Sequence, residues 1–378
     1  MHAILNQCKG LVRQPDCRAA YLRNIRGVTR GISGYFSNYI PEEIIAAAGL
    51  HPLRIIGCYD TPSHGNGSLS TPVCSFARDV FAAAAAGAFS FLRNVIFPNS
   101  CDSLKVLQQT WQNDLTAPSV HILLHPVQAS VQAVRYFAQQ IERLAARLQE
   151  DSGLRFTEAQ LAEHIQRYNH TRQLLRQMYV CPADGPRAMK GSDRIALVTA
   201  GMIMDRAEYN RILQTILAEG VSAGPAECDT GPRIMIVGPL VDNLSLLETI
   251  EQFGASIVTD EITNGFRYCD LDVDLDGNLY ENLARRYLRS GPSPTMHTDP
   301  GDDARCACRR VGEAHPDGII YINQKFCEPH VHNYLAMQEM LERTGVKALL
   351  LEVEHDGASV SERDVLRIES FLDMLGES

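Results

Sequence analysis

Short apolar runs alternate with helical segments along most of this chain, and the alternation occurs twice, on either side of a Pro/Gly-containing loop at residues 181–191. Parallel strands need a crossover, usually a helix, between them, so this rhythm predicts parallel sheets. The first set of runs lies at residues 32–36, 52–57, 93–97 and 120–124. The second lies at 233–237, 255–258, 318–322 and 347–353. The expected fold class is α/β, with two Rossmann-like domains, a helical lead-in and a helical linker. A chain of 378 residues is also long for one hydrophobic core. The expected division is a lead-in at 1–30, an N-terminal α/β domain at 31–185, a linker at 186–230 and a C-terminal α/β domain at 231–378.

The helical segments carry their own signals. Residues 39–49 include Pro41, suited to a first helical position, Glu42 and Glu43 to complement the helix dipole, and Gly49 to end it. Residues 74–91 are rich in alanine and suit close packing on a sheet. Val131, Val134, Phe137, Ile141, Leu144 and Leu148 form one apolar stripe. The next helix opens on Thr157-Glu158-Ala159-Gln160, a capping-box pattern. Residues 192–220 read as a helix pair or linker. Residues 1–30, with Arg13, Arg18, Arg23, Arg26 and Arg30, read as a peripheral helical lead-in. Later helices are expected at 244–253, 281–288, 305–313, 331–344 and 361–375.

Several function classes are disfavoured. A net charge of -10 spread along the chain argues against non-specific binding to nucleic acid or anionic membranes. No run approaches the ~18 apolar residues of a membrane span. No basic region followed by an apolar stretch opens the sequence, so a cytoplasmic location is expected. There is no GxxxxGK[ST], hence no P-loop ATP hydrolysis. Gly65-Asn66-Gly67 lacks the last glycine and the strand–helix setting of a dinucleotide fingerprint. Asp272-Val273-Asp274-Leu275-Asp276-Gly277 mimics the start of a calcium loop, but position twelve is Leu283 rather than glutamate, which makes it a solvated acidic turn. Cys306-Ala307-Cys308 has no second pair nearby and reads as incidental; His330-Val331-His332 reads as surface.

Eleven cysteines in a large chain expected in a reducing compartment are not a disulfide framework. Most are expected as small core residues, and a subset as metal ligands. Two stretches share a pattern: 318–322 runs into Asn323-Gln324-Lys325-Phe326-Cys327-Glu328, and 95–97 runs into Pro98-Asn99-Ser100-Cys101-Asp102. Each is an apolar run, a loop, then a cysteine followed by an acid. A third cysteine, Cys74, stands where a helix begins. In open α/β sheets ligands bind beyond the carboxyl ends of the strands. None of these cysteines is closely spaced, unlike the usual ligands of a structural zinc. Thiolates converging from the loops of two domains suit an iron–sulfur cluster between them, with buried structural cysteines as the other reading.

At these residues the chain resembles the catalytic subunits of the benzoyl-CoA reductase and 2-hydroxyacyl-CoA dehydratase family. The resemblance covers nearly the whole length. It rests on Gly34-Tyr35-Phe36 through Tyr39-Ile40-Pro41-Glu42-Glu43 to His51-Pro52, on Cys74, on Phe97-Pro98-Asn99-Ser100-Cys101-Asp102, on Lys325-Phe326-Cys327-Glu328-Pro329 and on Arg367-Ile368-Glu369-Ser370-Phe371. It implies an oxygen-sensitive [4Fe-4S] cluster between the two domains on Cys74, Cys101 and Cys327. It further implies a related cluster-bearing second subunit, or a second copy, a separate ATP-hydrolysing activator that injects low-potential electrons, and an acyl-CoA substrate. Glu43 and Ser37 are the candidates for proton handling or carbonyl contact. Relatives with a double cluster carry extra cysteines before the last cluster strand; here that region reads Ser290-Gly291-Pro292-Ser293-Pro294, so a single cluster is expected. The central segment from Ala200-Gly201-Met202 to Tyr209-Asn210 resembles the smaller reductase subunit. The expected activity is therefore dearomatising reduction of an aromatic CoA thioester, with 2-hydroxyacyl-CoA dehydration and a non-catalytic electron relay as alternatives.

Overall fold

The computed structural model describes residues 1–57, 69–70, 72–115, 118–180, 187–219, 221–222, 231–289, 302–355 and 359–376. The Gly65-Asn66-Gly67 loop, residues 181–186 of the Pro/Gly-containing loop and the Ser290-Gly291-Pro292-Ser293-Pro294 stretch lie outside them.

The chain opens with α1 (His2–Arg13) and α2 (Pro15–Val28). These helices are anchored rather than peripheral. Leu5, Cys8, Leu11 and Val12 repeat at three- and four-residue spacing and are buried, as are Leu22 and Ile25 of α2. Lys9 pairs with Asp193 and Glu248, and Arg13 with Glu248. The arginine-rich flanks conceal this apolar stripe in the sequence.

The first sheet comprises β1 (Ile32–Tyr35), β2 (His51–Arg54), β3 (Asn94–Pro98) and β4 (Ser119–Leu123). Its order is β2-β1-β3-β4, parallel throughout. The first three strands are buried along their whole length; β4, at the edge, is half exposed. The intervening helices are α3 (Glu42–Ala47), α4 (Ser75–Ala85) and α5 (Asp102–Asp114). α3 is shorter than expected because Pro41 caps it instead of entering it. A proline disfavours helical backbone in the residue before it, here Ile40.

Next come α6 (Val131–Ser152) and α7 (Glu158–Tyr179). Ser130 caps the first, and Gly153 ends it at φ 68°. The capping box of Thr157 and Gln160 is formed in both directions. The strands β5 (Arg187–Ala188) and β6 (Val221–Ser222) pair in parallel around the helix pair α8 (Gly191–Gly201) and α9 (Arg206–Ala218).

The second sheet holds β7 (Arg233–Val237), β8 (Ser256–Glu261), β9 (Gly318–Gln324) and β10 (Lys347–Val353) in the parallel order β10-β9-β7-β8. Its helices are α10 (Leu244–Gln252), α11 (Phe266–Cys269), α12 (Leu279–Arg289), α13 (Asp302–Ala314), α14 (Glu328–Glu342) and α15 (Glu362–Gly376). α14 starts directly after Cys327, three residues sooner than expected, since proline is tolerated in a first turn. The two sheets confirm the α/β class.

The halves share their cores. Leu279, Leu283 and Tyr287 of α12 pack with Phe137, Ile141 and Leu144 of α6. A larger core joins Phe36, Phe97 and Trp111 to Ile236, Ile320 and Leu351.

A buried charge cluster adds to this contact. His355, beyond β10, lies between Asp79 of α4 (Nδ1 to Oδ2, 3.1 Å) and Asp242 beyond β7 (Nε2 to Oδ1, 3.0 Å). Burial disfavours the imidazolium, but the two carboxylates outweigh it and raise its pKa to about 10. Gly57 closes over the ring: a Cβ there would lie 1.8 Å from it, and the Gly57 N–H donates to Asp242 (2.7 Å). The pKa in the folded state is above the ordinary 6.5. The stabilisation is therefore complete below about pH 6.5 and is lost as the pH rises towards 10. Denaturant titrations of wild type and His355→Gln should differ by a few kcal/mol at about pH 6 and converge at about pH 10. A gap that is constant with pH would refute the charged histidine.

Candidate functional site

Cys74, Cys101 and Cys327 occupy the same local position. Each is the N-cap residue of a helix: α4, α5 and α14. Cys101 stands three residues beyond Pro98, the end of β3, and Cys327 three residues beyond Gln324, the end of β9. Two of the thiols thus lie at carboxyl ends of strands in different sheets.

The three loops are stitched together by backbone contacts. Ser75 N–H donates to the Lys325 carbonyl (3.1 Å), joining the Cys74 and Cys327 loops. Cys74 N–H donates to Ser103 Oγ (3.2 Å), joining the Cys74 and Cys101 segments. Cys327 N–H closes its own turn on the Gln324 carbonyl (2.8 Å).

The thiols share one electrostatic environment. Burial raises all three pKa values, that of Cys101 to about 11. The Cys74 charge adds to the rise at Cys101, and both Cys74 and Cys101 add to that at Cys327. Backbone amides three residues on, at Ala77, Leu104 and His330, favour each thiolate but do not outweigh burial. None of the three makes a side-chain cap hydrogen bond. Among the described residues, no three His, Cys, Asp or Glu side chains are disposed to hold a single metal ion. A single ion draws its ligands to within about 2.3 Å of one point. A multi-iron cluster spreads its thiolates around a larger body.

Strain surrounds the same region. Among the described residues only Ser37, His315 and Phe326 are non-glycines with left-handed φ. Phe326, at φ 65°, immediately precedes Cys327; Ser37, at φ 64°, follows β1, the neighbour of β3. Such backbone costs about 1–3 kcal/mol and persists where the surroundings enforce it. The Phe326 ring packs under the Arg78 guanidinium, 5.8 Å from its centroid.

Ser37 is half-buried at the carboxyl end of the first sheet. Glu43 is fully buried and lies in a separate network. It pairs with Arg172 and accepts from the Tyr287 hydroxyl (2.7 Å). Burial opposes its charge, but the Arg172 and Arg286 guanidiniums with these hydrogen bonds hold its carboxyl below the usual range. Its neighbour Glu42 accepts from Tyr35 (2.8 Å), Arg206 (3.2 Å) and Tyr268 (2.6 Å). The first turn of α3 therefore gathers partners from α7, α9, α11 and α12.

Other motifs settle elsewhere. The acidic turn is exposed, and Asp272 pairs with Arg176 (2.7 Å). His332 is exposed, but His330 is buried against the Tyr321 hydroxyl (3.2 Å), and burial, then Arg267, lowers its pKa to about 3. Tyr321 points inward on β9 and supplies the polar partner that makes this burial possible. Cys306 and Cys308 are half-buried on α13. Arg78 pairs with Glu354 (3.5 Å) and Arg93 donates to the Asp151 carbonyl. A cleft of about 330 Å³ at the carboxyl ends of β9 and β10 is lined by Lys325 and Arg363 but also by Glu352, Glu354 and Asp364. That charge balance does not suit a phosphate. Asp79, Asp242, His355, Arg172 and Arg206 were missed by sequence reasoning, because no spacing signals a partner more than a hundred residues away.

The family model described as 2-hydroxyglutaryl-CoA dehydratase, D-component, matches residues 37–375. The chain is 28% identical over 379 residues to lactoyl-CoA dehydratase subunit beta of Anaerotignum propionicum, covering 99% of each. It is 26% identical to a benzoyl-CoA reductase subunit of Thauera aromatica and 22% identical to (R)-2-hydroxyglutaryl-CoA dehydratase subunit beta of Acidaminococcus fermentans, covering 86% and 91% of each. No helix among the described residues is long and apolar enough to cross a membrane. The matched span includes all three cysteines, the whole second sheet and every strand of the first sheet but β1, and the chain belongs to the 2-hydroxyglutaryl-CoA dehydratase D-component family of acyl-CoA dehydratase and reductase subunits.

Proposed function

We propose that Cys74, Cys101 and Cys327 hold a [4Fe-4S] cluster and that the chain is the cluster-bearing subunit of a radical acyl-CoA enzyme. The observation that carries this reading is that one buried and two half-buried thiols sit at equivalent helix N-caps, near enough for the charge of each to act on the others. The donor set fits the group: thiolates are the ligands of such clusters, and three leave one iron open. When bound, the cluster supplies single electrons at low potential, which a thioester carbonyl or a conjugated acyl group can accept.

The protein's own residues prepare that chemistry. The helix amides favour the thiolate forms that ligation requires. The thiols lie above the usual range without metal, so loading releases protons. Ser37, at the rim of the first sheet, is the candidate to contact the thioester carbonyl. Glu43, enclosed by Arg172 and Tyr287, serves here as a charge anchor.

Dehydration of a 2-hydroxyacyl-CoA stands first, because the family is described as a dehydratase component and lactoyl-CoA dehydratase subunit beta matches over the full length. Reduction of an aromatic CoA thioester stands second, on the likeness to the benzoyl-CoA reductase of Thauera aromatica. Both readings call for a second related subunit and an ATP-hydrolysing activator. A relay role, with the acyl-CoA held by the partner, would require the cluster but no substrate contact here.

The test begins with anaerobic iron and acid-labile sulfide analysis, where roughly four of each per chain are expected. Lactoyl-CoA and benzoyl-CoA are then compared in the presence of partner and activator, with formation of the enoyl-CoA expected. Cyclic diene formation alone would select the reductase. An iron-free protein, or one holding zinc, would refute the cluster.

A further inference from the structure

Two hydroxyls next to the cysteines in sequence are buried with no oxygen or nitrogen partner. They are Ser75 Oγ and Ser100 Oγ. Ser75 directly follows Cys74, and Ser100 directly precedes Cys101. A buried hydroxyl normally finds an acceptor, since burying it unpaired forfeits its bonds to water. Ser103 shows the contrast nearby: its Oγ accepts from Cys74 N–H (3.2 Å). Ser75 is held by its backbone, through its N–H to the Lys325 carbonyl (3.1 Å), which leaves the hydroxyl over. The Ser100 hydroxyl lies close enough to the Cys101 thiol to favour its thiolate.

We infer that Ser75 and Ser100 donate hydrogen bonds to the sulfur atoms of the cluster held by Cys74, Cys101 and Cys327, and thereby set how readily that cluster accepts an electron. The inference rests on the cluster reading proposed above. Ser75 Oγ has no acceptor, the Ser100 hydroxyl has none but the neighbouring Cys101 sulfur, and cluster sulfur is the acceptor that loading would bring to both. Hydrogen bonds to cluster sulfurs tune the reduction potential. They stabilise the more negative, reduced state, so their loss makes reduction harder. Neither serine is a ligand; each acts on the cluster's potential through its sulfurs.

The test uses the full chain, loaded anaerobically, as wild type, Ser75→Ala, Ser100→Ala and the double variant. Iron and sulfide are measured first, then the midpoint potential by redox titration followed by electron paramagnetic resonance. Each single variant should load fully and titrate at a more negative potential. The expected shift is about tenfold in the reduced-to-oxidised ratio at fixed potential, about 59 mV for one electron. The double variant should shift further. Without metal, Ser75→Ala should unfold no earlier than wild type, because its hydroxyl has no partner there. Fully loaded variants with an unchanged potential would overturn the inference and leave the cluster reading intact. If an alanine variant does not load, Ser75→Thr or Ser100→Thr decides. A loaded threonine variant with the wild-type potential supports the hydroxyl's role, and an unloaded or shifted one overturns it. A wild type without iron removes the cluster reading itself, and the inference with it.

Discussion

Cys327→Ala is expected to lower bound iron and sulfide from roughly four each per chain to near zero while the protein stays folded. The loss should be nearly complete because the remaining two thiols belong to the first half of the chain, and the second half would contribute none. Cys74→Ala and Cys101→Ala should behave alike, since the three thiols occupy equivalent N-caps. The fold should survive because the halves are joined by a large shared apolar core, in which Cys74 is one member among many and against which Cys327 packs, and by the Asp79–His355–Asp242 cluster. Cys306→Ala and Cys308→Ala, on α13, should leave the iron unchanged. Anaerobic metal analysis beside far-ultraviolet circular dichroism decides the matter. A Cys327→Ala protein with full iron would remove this cysteine from the ligand set.

Arg172→Met is expected to cost about 3–5 kcal/mol of folding stability, as breaking one side of a buried ion pair does. It would leave Glu43 fully buried with no opposite charge in direct contact. Glu43→Gln should cost a similar amount by stranding the guanidinium. Tyr287→Phe should cost about 1.5–3 kcal/mol, the value of a hydrogen bond to a charged group. Glu43 has a lowered pKa in the folded state, so its contribution is present above the ordinary carboxylate range and lost as the pH falls through the folded value. Urea midpoints across an acid pH series measure both effects. If Glu43→Gln kept its stability and lost only turnover, proton handling rather than anchoring would be its role.

Much of the architecture could be read from the chain. All eight strands of the two main sheets lie within a few residues of their expected places, because short apolar runs between helices have few alternatives to a buried parallel sheet. The capping box at Thr157 and Gln160 formed as its spacing implied, since it depends only on residues three apart. The lead-in misled for the converse reason: five arginines mask a stripe that becomes meaningful only when α8 and α10 are there to receive it.

What the sequence determined by itself was local: the strand–loop–cysteine pattern, the helix beginning at Cys74, and the α/β rhythm. These rest on backbone sterics and periodicity acting over a few residues. Only the tertiary structure decided that Ser75 reaches Lys325, that Glu42 and Glu43 are claimed by Arg206 and Arg172, and that His355 carries its charge between two aspartates from the two halves. Those pairings follow from which side chains burial forces together, and the need to compensate a buried charge selects partners by proximity in space, which no spacing along the chain encodes.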